Sequence, residues 1–290
     1  MNAFDNSSGA SSGLSDKDFK RLSDFIYQQA GILMPMSKKT MLTARIQKRL
    51  RTLGMHSFPE YVEMVLDPRH KGEELINFID AVTTNKTDFF REPNHFDYLK
   101  GTVLPELLQT TGAGLQRRLM VWSAACSTGE EPYTLAMVIK EFGETTGKNF
   151  NANILATDLS TKVLKKAAMG VYEMEKVAPV PMHLKKKYML KNKNPHKPMV
   201  KMGQDLRSMI RFQQLNFMDN DYGLKERIDV IFCRNAIIYF DRPTTQAIIN
   251  KFCRYLIPGG YLFVGHSETL NNLKVPVVQV APTIYQLPKN

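Results

Sequence analysis

The chain has 290 residues, 43% of them hydrophobic, with 39 Lys and Arg against 28 Asp and Glu, a formal net charge of +11. That length allows one large domain or two ordinary ones with sizeable cores, and no run approaches the ~18 apolar residues of a membrane span. The surplus charge suits an acidic partner: nucleic acid, anionic lipid or an acidic protein surface.

The first residues, "MNAFDNSSGASSG", carry no signal pattern, and residues 1–14 are expected to be a disordered tail. The three cysteines, Cys126, Cys233 and Cys253, form no Cys-x-x-Cys pair. Neither a disulfide framework nor a metal site is expected, and a reducing cytoplasm is the expected location.

Residues 15–92 predict a small helical domain. Ser15 and Asp18 form a capping pattern, and Gly31 suits the end of that first helix. A second helix is predicted from Lys39 to Leu53, stopped by Gly54, with Leu42, Ile46, Leu50 and Leu53 on one face. Arg45, Lys48 and Arg49 gather on another face. From Phe25 to Pro59 there is no acid at all, so Arg45 and Arg49 are expected to point outward, uncompensated. A third helix follows Ser57, around Pro59 to Leu66, and a fourth spans Glu73 to Val82.

From Pro93 to the end, strands alternate with helices, which predicts a parallel, doubly wound sheet. A helix from Pro93 to Gln109 precedes a strand ending at Trp122, then a helix from Glu130 to Phe142. The strand "NILATD" ends at Asp158, and "STKVLKKAAMG" forms a capped helix. "IRFQQLNF", "IDVIFCRN", a helix from Arg242 to Leu256 and the strand "GGYLFVGH" follow, and "PTIYQL" closes the sheet antiparallel. Between about 182 and 211 the rhythm breaks. "YMLK", "PMVKM" and the turn "NKNPH" predict a small β-insertion, with nine Lys or Arg against the single acid Asp205.

Such sheets bind ligands at the C-terminal strand ends, near the switch point. The first strand there runs into "SAACSTGEEPY". A phosphate cradle uses several glycines and the positive end of a helix dipole. Here there is one glycine, Gly129, and Glu130 and Glu131 open the helix, where they repel phosphate. Asp158, at the next strand end, suits ribose hydroxyls. A ligand with ribose, positive charge and no phosphate satisfies both features, and S-adenosylmethionine is such a ligand. A helix-capping role for Asp158 and a simple dipole role for Glu131 stay open.

The stretches "TTNKTDFFRE", "SAACSTGEEPYTLAM", "ATDLS", "IFCRNAIIYFD" and "GGYLFVGHSE", in this order, resemble the CheR family of chemotaxis methyltransferases. The resemblance covers nearly the whole chain after the tail. It implies an α/β, Rossmann-like S-adenosylmethionine-dependent methyltransferase domain over 93–290, with a small β-subdomain insertion, behind an all-helical domain. It implies methylation of glutamates on methyl-accepting chemoreceptors during adaptation. By the same resemblance Asn85, Thr87, Arg91, Glu131, Asp158, Asn216, Phe217, Arg234 and Asn235 contact the cofactor. Tyr239 matches the tyrosine placed near the transferred methyl; Arg91 and Arg234 are the catalytic candidates for orienting carboxylates, with a structural salt bridge the open alternative for either. Arg45, Lys48, Arg49 and Arg51 face the cytoplasmic helical region of the receptor. The β-subdomain of some family members grips a peptide at the receptor C-terminus. A nucleic-acid methyltransferase and a non-catalytic cofactor-sensing docking protein are the alternatives. The first lacks an Asn-Pro-Pro-Tyr or Asp-Pro-Pro-Tyr segment, so neither nucleic acid nor direct membrane insertion is expected. Cys126 is expected to be a small filler beside the site.

Overall fold

The computed structural model describes residues 13–289 apart from 68, 70–72, 84, 193, 195 and 197. The expected tail over 1–14 lies almost wholly outside the described residues, as do two positions of the "NKNPH" turn. The chain forms two compact units that divide between Thr83 and Thr84.

The first unit is helical: α1 (Asp16–Ala30), α2 (Lys39–Leu53), α3 (Phe58–Leu66) and α4 (Glu73–Val82). Ser15 caps α1 by accepting from the Asp18 N–H at 3.0 Å. Gly54 ends α2 in the left-handed region, where a side chain would be strained. Phe19, Leu22 and Ile26 of α1 meet Leu42, Ile46 and Leu50 of α2, Tyr61 and Val62 of α3, and Phe78 of α4 in one core. The spacing of three and four residues is why these side chains share a helix face. Leu53, expected on that face, is exposed.

Two arginines of α2 depart from expectation. Arg49 forms a two-pronged pair with Glu74 of α4, whose carboxylate also accepts from the Tyr61 hydroxyl at 2.8 Å. Arg45 donates to the carbonyls of Ala81, Val82 and Thr83, at 3.1, 2.6 and 2.9 Å, and so caps α4. Both guanidiniums are half-buried, whereas Lys48 and Arg51 are exposed. The acid missing from α2 is supplied by another helix, which proximity in sequence does not reveal.

The second unit opens with the segment 85–92, then α5 (Pro93–Tyr98), a π-helical stretch (Leu99–Val103) and α6 (Leu104–Thr111). The segment belongs here, and not to the helical unit. The Phe89 ring packs edge-on against Tyr172 at 5.0 Å, and the Phe90 N–H donates to Thr134 Oγ1 at 3.2 Å.

Then follow β1 (Leu119–Ala124), α7 (Glu130–Thr145), β2 (Ala152–Asp158) and α8 (Thr161–Met169). Next come β3 (Val171–Glu173), α9 (Met182–Tyr188), β4 (Met189–Lys191), β5 (Met199–Met202) and α10 (Gln204–Arg207). The chain closes through β6 (Ile210–Gln214), β7 (Ile228–Cys233), α11 (Arg242–Tyr255), β8 (Leu256–Val264), β9 (Val278–Ala281) and β10 (Ile284–Gln286).

The main sheet runs β6-β2-β1-β7-β8-β10-β9. Its first five strands are parallel, and β10 is antiparallel to both neighbours. Alternate residues of β1 point to opposite faces, so Val121 lies in one core and Trp122 in the other. The strand β1 is paired with β2 on one side and β7 on the other, which makes its C-terminal end the switch point.

A separate antiparallel sheet, β3-β5-β4, forms the β-subdomain. It begins at Val171, before the expected 182, because β3 is too short to show an alternation. Ile210 and Arg211 pair instead with Ile154 and Leu155 in the main sheet.

Candidate functional site

The polar residues expected at strand ends gather around the switch point. After β1 the backbone turns through positive φ at Ala125 and Ser127, residues with side chains, and at Gly129. Phe90, Glu92 and Asn235 also have positive φ. Such conformations cost free energy and persist where the surroundings enforce them, as at binding sites.

Each strand end is tied to its neighbour. Asp158, closing β2, accepts from the Ser127 N–H at 2.8 Å and the Ser160 N–H at 2.9 Å. Glu131, in the first turn of α7, accepts from Ser123 Oγ at 2.7 Å and from Arg234 Nε at 2.8 Å. The Arg234 side chain is only 3% exposed. Its guanidinium lies over the Phe96 and Phe232 rings at 5.2 and 5.7 Å and donates to the Arg91 carbonyl at 2.7 Å. This buried pair joins the ends of β1 and β7; removal of either partner would strand a charge.

The segment 85–92 lines the same end of the sheet. Ser127 Oγ donates to the Asn85 carbonyl at 2.9 Å. The Lys176 ammonium donates to the Thr87 carbonyl and to Asp88. Arg91 is half-buried, and its guanidinium donates to the Lys86 carbonyl at 3.1 Å. Asn235 Nδ2 donates to Glu92 Oε1 at 3.2 Å. Asn216 and Phe217 follow β6. The Asn216 amide oxygen accepts from the Met218 N–H at 3.0 Å, and Phe217 packs on Phe252 at 5.2 Å. Tyr239 sits in a 3-10 turn, Ile237–Tyr239, just past Asn235.

Asn85 and Asp158 are therefore joined through Ser127, and Glu131, Arg234, Arg91 and Asn235 form a second hydrogen-bonded group, directly or through Glu92. Arg45, Lys48, Arg49 and Arg51 belong to the helical unit.

Several participants carry no mark in a local pattern. Buried His95 accepts from Arg234 at Nδ1, 3.0 Å, and pairs through Nε2 with Thr283 Oγ1 at 2.8 Å. Burial, and then the Arg234 charge, hold its pKa down at about 4, so the ring is neutral. Burial works to raise Glu92, but the Arg234 charge and the Asn235 amide outweigh it, and its carboxyl sits below the usual range. Burial pushes Glu130 up and drives the Cys126 thiol well above its ordinary value. Donor atoms of Glu92, His95 and His266 come within 4.8 Å of one another. A cation held there would stand against the Arg234 guanidinium, so the set does not fit a metal. Glu268, in the "GHSE" stretch just past β8, is buried.

A sequence-family model for the CheR methyltransferase all-alpha domain matches residues 17–83, and one for the CheR methyltransferase SAM binding domain matches residues 85–285. The chain belongs to the CheR family. It is similar to a chemotaxis protein methyltransferase of Borreliella burgdorferi, 38% identical over 94% of this chain and 95% of that one. It is also similar to that of Escherichia coli K12, 37% identical over 96% and 93%. Chemotaxis protein methyltransferase 2 of Pseudomonas aeruginosa is 35% identical over 93% and 92%.

The cofactor of this CheR-family domain is S-adenosylmethionine, and the residues present fit it. The turn at the switch point offers buried carboxylates on Glu131 and Asp158 and backs them with Glu130, also buried. That set of acceptors favours hydroxyls and positive charge and disfavours phosphate. Among the described residues no helix is long and apolar enough to cross a membrane.

Proposed function

We propose that this CheR-family protein is a protein-glutamate O-methyltransferase. It converts glutamates on the cytoplasmic helical region of methyl-accepting chemoreceptors to methyl esters, for adaptation in chemotaxis. The observation that carries the reading is the acidic, glycine-poor turn at the switch point, with Glu131 in the first turn of α7 after β1 and Asp158 at the end of the adjacent strand β2. S-adenosylmethionine, when bound, supplies an electrophilic methyl on a cationic sulfur. Asp158 is assigned to ribose hydroxyls and Glu131 to the cationic end, with Asn85, Asn216 and Phe217 completing the pocket.

A glutamate side chain, with a pKa of about 4.3, is already ionised at neutral pH, so the protein has no proton to remove. Its task is to align carboxylate and methyl and to exclude water, which stabilises separated charges. Arg91 orients a carboxylate. Arg234, committed to Glu131, acts by fixing that acid in place. Tyr239 touches the reacting groups. On the helical unit, exposed Lys48 and Arg51 form the receptor-facing surface. The β-subdomain leaves β4 as an edge strand with Leu190 65% exposed, which suits an extended receptor peptide.

Transfer of labelled methyl from S-adenosylmethionine onto chemoreceptor-containing membranes tests the reading. Base-labile label on the receptor is expected, because a carboxyl ester hydrolyses in alkali. Base-stable label, or label on nucleic acid alone, would overturn it.

A further inference from the structure

We propose that Glu268 is a positioning residue for methyl transfer: its carboxylate fastens the loop after β7, which carries Asn235 and Tyr239, to the end of β8. The inference rests on the assignment of Tyr239 to the reacting groups.

Glu268 is 4% exposed, a burial that carboxylates reach only when satisfied. Its partners are all backbone. Oε2 accepts from the Asn235 N–H at 2.8 Å and the Gly265 N–H at 2.6 Å, and Oε1 accepts from the Ile238 N–H at 3.2 Å. Burial holds the Glu268 carboxyl above its ordinary pKa, and the Gly265, Asn235, Ile238 and Ile237 N–H groups work the other way, stabilising the charged form. A carboxylate has about four lone-pair directions and no donor, which is the chemistry such a cluster of N–H groups requires.

Besides this anchor the loop carries short turn bonds of its own, among them Phe240 N–H to the Ile237 carbonyl at 3.2 Å. Asn235 has φ 56°, in the left-handed region, which asparagine tolerates better than most residues with side chains. Ile237–Tyr239 is a single 3-10 turn, and the Tyr239 N–H reaches the Ala236 carbonyl at a long 3.3 Å. Gly265 completes the fit from the β8 side. A Cβ there would lie 2.5 Å from Asn235 Nδ2, 2.9 Å from Asn235 N and 2.9 Å from Glu268 Oε2. The loop is therefore seated directly on Gly265 and anchored through Glu268.

Glu268→Gln keeps the shape but turns an NH2 toward backbone N–H donors, so the loop must shift. Turnover with receptor membranes should fall at least about tenfold, since small misplacements of aligned groups are costly in rate. Affinity for S-adenosylhomocysteine should fall by less than turnover does. In protein labelled with fluorinated tyrosine, the fluorine NMR signal of Tyr239, assigned through Tyr239→Phe, should move, while that of Tyr61 in the helical unit stays. If Glu268→Gln does not fold, Gly265→Ala, which crowds the same loop from β8, is held to the same expectations. Turnover within about twofold of wild type overturns the proposal, whether or not the signal moves. Absence of base-labile label with the wild type would strike the glutamate-methylation reading instead, and the Tyr239 signal would still report whether Glu268 sets that loop.

Discussion

Both oxygens of Asp158 accept backbone N–H groups, from Ser127 and Ser160, and the same carboxylate is the one assigned to ribose. Asp158→Ala therefore has two expected effects. Affinity for S-adenosylhomocysteine, measured by calorimetry, should drop at least about tenfold, and the melting temperature should fall, because each orphaned buried N–H costs about 1–3 kcal/mol. Affinity within twofold of wild type would remove Asp158 from the pocket. Tyr239→Phe should lower kcat by more than it changes cofactor affinity, since the proposed role of the hydroxyl is at the reacting groups. A loss confined to binding would make Tyr239 a wall residue. His95 gives a pH signature. Its folded pKa, about 4, lies below the unfolded value near 6.5. The stability tied to its neutral ring is fully present above about pH 6.5 and is lost as pH falls toward 4, because only the unfolded chain takes up the proton. Urea midpoints should decline between about pH 6.5 and 5, and His95→Phe should flatten that part of the curve.

At the scale of elements, the basic helix α2 separates into a structural half and a half proposed for docking. Arg49→Glu would set a carboxylate against Glu74 and Tyr61, and should destabilise the helical unit by roughly 2–4 kcal/mol, read as loss of helical circular dichroism at lower temperature. Lys48→Glu with Arg51→Glu should instead leave the melt unchanged, and cut receptor methylation at least about tenfold at low salt by opposing an acidic receptor surface. Wild-type methylation by that double variant would return the docking role to the β-subdomain lysines.

The α2 arginines also mark the limit of what was legible. The bounds of α2 and α4, the caps Ser15 and Ser160, and the strand ends at Asp158 and just before Arg234 follow from periodicity and turn chemistry, which are local. The run from Pro93 carries one apolar pattern through a π-helical stretch, because only the backbone bonding shifts there. The strands β3 and β9 are short or exposed and show no usable alternation. Glu74, Glu92, Lys176 and Glu268 owe their importance to partners far away in sequence, so only folding reveals them.

At the scale of the whole molecule, the +11 charge is a long-range effect superimposed on these contacts. Methylation of receptor membranes should weaken as salt rises from about 0.05 to 0.5 M, where screening shortens to a few ångströms, while S-adenosylhomocysteine affinity changes little. A salt-independent rate would dismiss electrostatic steering. The cysteines have a different consequence. Cys126, Cys233 and Cys253 are all buried, and burial raises each thiol's pKa, with the Asp158 and Glu131 charges adding to the effect at Cys126. The nucleophile in alkylation is the thiolate, so maleimides in water find almost nothing to attack on the native fold. A cysteine placed at Lys48 or Arg51 would then be the sole handle for a crosslinker, and the residue it captured would map the receptor face without any native thiol having to be removed.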